Sequence, residues 1–176
     1  MANFEQFFPT LLQFEGGYVH DPNDPGGATN KGITLQTFQK YAVSLLNVQP
    51  TLENLENLSD DQASLIYKPI YWDAIKGDDI TYQNLADIVF DFYVNAGIHA
   101  GNLLQQILNN LGETLTVDGQ IGAATLAALG KYDQVTVYQN YKQGRINYYQ
   151  NLVNQNPILQ KYLNGWLSRV NSFPNQ

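Results

Sequence analysis

"QFEGGYVHDPNDPGGATNKGIT", residues 13–34, closes an apolar run on a glutamate and then spends five glycines and two Asp-Pro pairs on what reads as a loop. Ahead of it, Phe4, Phe7, Phe8, Leu11 and Leu12 recur at helical spacing, and Glu15 follows Leu11 by four residues. A helix stopped at Gly16 and Gly17 therefore carries the glutamate on its core side. Pro9 interrupts the run and either kinks this helix or marks its true start. From Tyr18 to Thr34 the Asp-Pro and Gly-Gly pairs predict turns enclosing a small β-hairpin that ends at "GIT".

The rest of the chain repeats helix and loop. Residues 35–48 fit a helix, and Ser59 with Gln62 forms a capping box for the next one, which runs toward Tyr67 and is disturbed at Pro69. In "NLADIVFDFYVNAG" the spacing places Leu85, Ile88, Val89, Phe92 and Ala96 on one face and Asn84, Asp87, Asp91 and Asn95 on another, with Gly97 as the stop. "AGNLLQQILNNLG" repeats that design to Gly112. A short helix is predicted over residues 123–129, a long tyrosine-rich one over about 133–154, and a partly helical tail after Pro157. The tyrosines of the long helix read as packing residues, with Arg145 pairing an acidic neighbour. The fold class is mostly α, with at most a small β element.

With 176 residues, 44% of them hydrophobic, the chain can bury a real core. It has no cysteine, which removes disulfides and thiolate metal sites. A net charge of −7 argues against nucleic acid or anionic membranes as partners. No window approaches transmembrane length, and the first residues lack the basic and apolar stretches of a signal peptide.

Two motif readings of the opening loop fail on spacing. "DPNDPG" places Pro25 at a required position of a calcium loop and Gly32 where its bidentate glutamate belongs. "GGATNKG" lacks the spacing of a phosphate-binding loop. His20 and His99 stand too far apart in sequence to suggest a zinc site, so no metal is expected. Acid–base chemistry remains. A carboxyl at the apolar side of a helix end is shielded from water, which favours the proton-bearing form that a general acid needs. Glu15 is so placed, and a second carboxylate, Asp24 or Asp21, can sit opposite and activate water, the two-carboxylate arrangement of glycoside hydrolysis.

The same residues resemble the family-108 glycoside hydrolases, N-acetylmuramidases long labelled secretion activators. In that family "EGGY" is followed by "DPxDPGGxTxxGIT", matched here over residues 15–34. "IYKPIYWDAIKGD" and "DIVFDFYVNAG" are similar to its Tyr-Trp-Asp segment and Asp-x-x-Val-Asn-x-Gly helix. "VDGQIGAATLAAL", residues 117–129, resembles the Asp-Gly-x-x-Gly-x-x-Thr core of peptidoglycan-binding modules, and "GWLSRVN" closes the chain as members close.

The resemblance implies a lysozyme-like α+β catalytic lobe over residues 1–97, with its small hairpin, packed as one unit with a helical peptidoglycan-binding-like lobe over residues 98–176. It implies hydrolysis of the β-1,4 bond between N-acetylmuramic acid and N-acetylglucosamine, with Glu15 as general acid and no cofactor. Asp24 is the first candidate for the base, the alternatives being Asp21, Asp91 or no dedicated base, and inversion is favoured. Tyr18, Trp72 and Tyr93 are candidates to pack on sugar faces. Thr29, Thr34, Asp91 and Asn95 are candidates to hydrogen-bond substrate. The expected partner is the glycan strand of peptidoglycan, met by a monomer at the cell wall or in the periplasm. The alternative is a non-catalytic wall-binding or secretion-associated accessory protein.

Overall fold

A computed structural model describes residues 1–20 and 27–175. The backbone forms two compact units, one made of residues 5–70 and the other of residues 1–4 with 71–176. The structure is mostly helical, with a single two-stranded antiparallel sheet among the described residues, as the sequence predicts.

Within the unit of residues 5–70, helix α1 (Phe4–Glu15) passes through the exposed Pro9 without ending, so the proline neither starts nor breaks it. Proline lacks an N–H, so this position leaves the helix one hydrogen bond short. Phe7, Phe8 and Leu11 are buried along α1, with Phe8 against Tyr67 at a ring separation of 5.6 Å. The hairpin pairs β1 (Thr29–Asn30) with β2 (Ile33–Thr34), Thr29 opposite Thr34 and Asn30 opposite Ile33. Val19 extends it by a bridge to Thr29. Helix α2 (Leu35–Tyr41) starts at once, capped by Thr34, and widens into a π-helical turn at Ala42–Leu46. Helices α3 (Leu52–Glu56) and α4 (Asp60–Tyr67) follow, α4 with the Ser59–Gln62 capping box. Pro69 falls inside a second wide turn, Lys68–Trp72.

In the other unit, α5 (Gln83–Ala96) packs on α6 (His99–Asn110) and α8 (Gln134–Gln155), and α8 packs on α9 (Gln160–Asn171). The short α7 (Ala123–Leu129) lies beside α6. The two-faced reading of α5 is corrected here: every residue from Leu85 to Phe92 is buried, the aspartates included. The side on which spacing puts Asp91 is covered by Arg145 of α8 and Arg169 of α9.

Two buried carboxylates result. Asp91, fully buried, is paired by Arg145 at 2.7 Å and gripped by both Nε and Nη2 of Arg169 at 2.7–3.1 Å. The Arg145 guanidinium, itself fully buried, lies 4.9 Å from the centre of the Phe92 ring. Asp87 pairs with no cation among the described residues. It accepts a hydrogen bond from Gln83 at 2.6 Å, and its carboxyl is pushed up to about 7, chiefly by burial, with nearby Asp91 adding to the rise against the Gln83 bond.

The sign of the linkage follows from that direction. Between the ordinary 3.8 and about 7 the folded chain holds a proton that the unfolded chain has released. Stability therefore falls as pH rises through this window and stays lower above it. Asp87→Asn should stabilise the protein at pH 8 by on the order of a few kcal/mol and have little effect at pH 4. Urea unfolding at the two pH values measures this, and an equal effect at both would contradict it.

Candidate active site

Glu15 is the last residue of α1 and is half-buried. The chain turns away at Gly16, whose φ of +76° is open to glycine at little cost. What stands against the glutamate is the tip of the hairpin. Lys31 and Gly32, the two residues between the strands, have φ of +51° and +75°, the pattern of a type I′ turn. A Cβ on Gly32 would lie 2.6 Å from Glu15 Oε2 and 2.5 Å from the hydroxyl oxygen of Tyr67. Glycine is therefore demanded twice, by the backbone angle and by the space. Both oxygens crowd one point on the turn.

Lys31 holds a left-handed conformation without being glycine, at a cost of about 1 kcal/mol or more. Several contacts hold the tip in place. The Tyr67 hydroxyl donates to the Lys31 carbonyl at 2.8 Å, and Lys31 Nζ pairs with Asp60 at 2.7 Å. One residue back, the buried Asn30 side chain donates to the carbonyls of Leu55 and Glu56 in α3 at 2.9 and 3.0 Å. Tyr67 and Lys31 were not candidates on sequence grounds. The available signal was Lys-Gly as a two-residue link between β-prone pairs, which marks a tight hairpin.

The other sequence candidates are distributed as follows. Thr29 and Thr34 are opposite partners in the hairpin, so their side chains share one face of it. The Thr34 hydroxyl is occupied as the cap of α2, accepting from Thr37 N at 3.1 Å. Tyr18 is half-buried, its ring 6.3 Å from that of His20. Asp24 and Asp21 lie outside the described residues.

Trp72, Asp91, Tyr93 and Asn95 belong to the other unit. Trp72 is fully buried, between the rings of Phe4 and Phe90 at 5.8 and 5.3 Å, and its indole N–H donates to Asp78 at 2.7 Å. It offers no face to a sugar. Asp91 is spent on two arginines. Arg145 does pair an acidic neighbour, as the sequence suggests, whereas Arg169, 78 positions along the chain from Asp91, carried no signal. Tyr93 is half-buried beside Tyr71, with ring centres 6.3 Å apart, and the exposed Asn95 accepts from the Tyr149 hydroxyl at 2.6 Å.

The "VDGQIGAAT" motif is built around the buried Gln105 of α6. Its amide donates to Asp118 Oδ1 at 2.8 Å and to the Gln120 carbonyl at 3.0 Å, and its carbonyl accepts from Gly119 N at 2.8 Å. Gly101 lies directly on the Gly119 backbone, with no room for a side chain. In this chain the motif docks a loop onto a helix. Among the described residues no group of His, Asp and Glu side chains is arranged to hold a metal ion, and no helix is long and apolar enough to cross a membrane.

The family model described as glycosyl hydrolase 108 matches residues 8–97, and one described as a predicted peptidoglycan domain matches residues 99–171. The chain belongs to the glycosyl hydrolase 108 family. The solved structure of SagA from Brucella abortus is similar, with 28% sequence identity and a TM-score of 0.70, over 98% of this chain and 96% of that one. No curated protein matches. Membership of family 108 makes the chain a glycoside hydrolase in type, with peptidoglycan as the polymer that its second region points to.

Proposed function

We propose that this family-108 protein is an N-acetylmuramidase that cleaves the β-1,4 bond between N-acetylmuramic acid and N-acetylglucosamine, with Glu15 as the general acid. The observation that carries the reading is the placement of Glu15 at a helix end, its carboxylate against the Gly32 backbone and the Tyr67 hydroxyl, inside the region matched by the hydrolase family. A general acid must be held where it can protonate one leaving oxygen, and a carboxyl set against a turn that several contacts hold in place meets that need. Protonation of that oxygen accompanies oxocarbenium character on the muramic acid ring. Residues 1–97 carry the chemistry and residues 98–176 hold the wall, a division supported by the two matched regions. The site of action is the bacterial cell wall.

Water attack requires a base, and Asp24 is the proposed one, nine residues after Glu15 in the sequence. Asp24→Asn should lower turnover by about 100-fold or more with the thermal midpoint unchanged. An unchanged rate moves the role to Asp21 or to the substrate itself, and a fall matched by lost stability makes Asp24 a turn residue.

The competing reading is an accessory protein that binds peptidoglycan without cutting it, which the predicted peptidoglycan domain alone would satisfy. Incubation with purified peptidoglycan separates the two. The hydrolase releases soluble muropeptides, whereas the accessory protein sediments with the wall and releases none.

A further inference from the structure

We infer that Tyr67 is a positioning residue for Glu15, acting through the Lys31–Gly32 turn of the hairpin. The inference rests on the reading of Glu15 as the general acid and names what holds that acid in place.

Tyr67 is 1% exposed, so it has no surface to offer a substrate. Its ring packs on Phe8, seven residues before Glu15 and thus on the same side of α1. Its hydroxyl proton goes to the Lys31 carbonyl, since a carbonyl can only accept. One buried side chain at the end of α4 thereby ties together the helix that carries the glutamate and the turn that stands against it. The Gly32 backbone fills the remaining space, pressed so near the Glu15 carboxylate and the Tyr67 hydroxyl that a methyl group would overlap both. Without the Tyr67 hydroxyl the Lys31 carbonyl loses this bond, and the left-handed Lys31 loses a restraint. The turn then relaxes, and the carboxyl gains freedom to leave its working orientation.

The consequence is specific. A misaimed acid lowers the chemical step and leaves substrate binding alone, because the contacts that bind glycan do not include a buried tyrosine. Tyr67→Phe keeps the ring and removes only the hydroxyl. It should lower kcat on soluble peptidoglycan fragments by about ten- to a hundredfold, with KM within about twofold and the thermal midpoint within a few degrees. Gly32→Ala should likewise lower kcat with KM within about twofold, at a lower midpoint because alanine is strained at this φ, since its Cβ displaces the Glu15 carboxylate or the Tyr67 hydroxyl. It is the second variant should Tyr67→Phe fail to fold.

A Tyr67→Phe protein with wild-type kcat overturns the inference. So does one whose kcat and midpoint fall together while KM rises, which is the mark of a general packing role. Glu15→Gln is assayed beside them. If it keeps the wild-type rate, the reading of Glu15 fails whatever Tyr67 does. If it is inactive while Tyr67→Phe and Gly32→Ala both turn over normally, only the positioning role is lost.

Discussion

Glu15→Gln is expected to lower peptidoglycan hydrolysis by about 100- to 10,000-fold, the range over which a positioned general acid acts, while the protein still folds and still sediments with the wall. The amide has the shape of the carboxyl and can fill the same space against Gly32. It has no acidic proton to give. Binding should survive because the region matched as a peptidoglycan domain lies elsewhere in the chain, over residues 99–171. Release of soluble muropeptides, thermal unfolding and co-sedimentation, measured on one preparation, check the three parts. A variant that hydrolyses at nearly the wild-type rate removes Glu15 from the mechanism, and one that no longer folds shows that the helix end was read wrongly.

The second large effect concerns the boundary at Gly97, where the family regions meet. A chain cut after Gly97 keeps α5 but loses α6, α8 and α9. In the intact protein α5 packs against α6 and α8, and eight consecutive residues of it are buried. Phe92 alone would lose its edge-on contacts with Tyr141, Tyr148 and Tyr149. Asp91 would lose both arginines. Each large apolar side chain returned to water costs about 1.5–3 kcal/mol, so a handful exceeds the whole stability of an ordinary domain. The fragment should be insoluble or lack a cooperative unfolding transition. A soluble, cooperatively folded fragment that digests peptidoglycan at nearly the full rate would show that residues 98–176 support neither the fold nor the site.

The local devices of the fold were legible wherever one short stretch carries its own signal. The short helix at Ala123–Leu129, the long one at Gln134–Gln155 and the Ser59–Gln62 capping box all lie where spacing and caps place them. So does the hairpin that ends at "GIT". Periodicity failed at α5, because it reports that a helix has an apolar face and not whether a second layer covers the other one. Asp91 reads as a candidate for base or substrate contact until Arg169 arrives from far along the chain, and long-range pairing leaves no mark on local spacing. Trp72 was ambiguous for a related reason, since an aromatic ring serves equally for sugar stacking and for packing, and only burial decides between them. At the candidate site the glutamate was visible as a carboxyl ending an apolar stripe. Its supports were not. Tyr67 reaches the turn across 36 positions, and the steric half of the demand for glycine at position 32 comes from two side chains that the turn meets only in the folded chain.

The chemical identity of the new chain ends tests the central claim most directly. Purified peptidoglycan digested to completion, reduced with borohydride and analysed by mass spectrometry reports which sugar holds the freed reducing end. Cleavage by the proposed reaction yields N-acetylmuramitol at every new end, and Glu15→Gln yields none. Ends that reduce to N-acetylglucosaminitol, 1,6-anhydro ends that resist reduction, or no new ends at all would contradict the assignment of this protein as a muramidase.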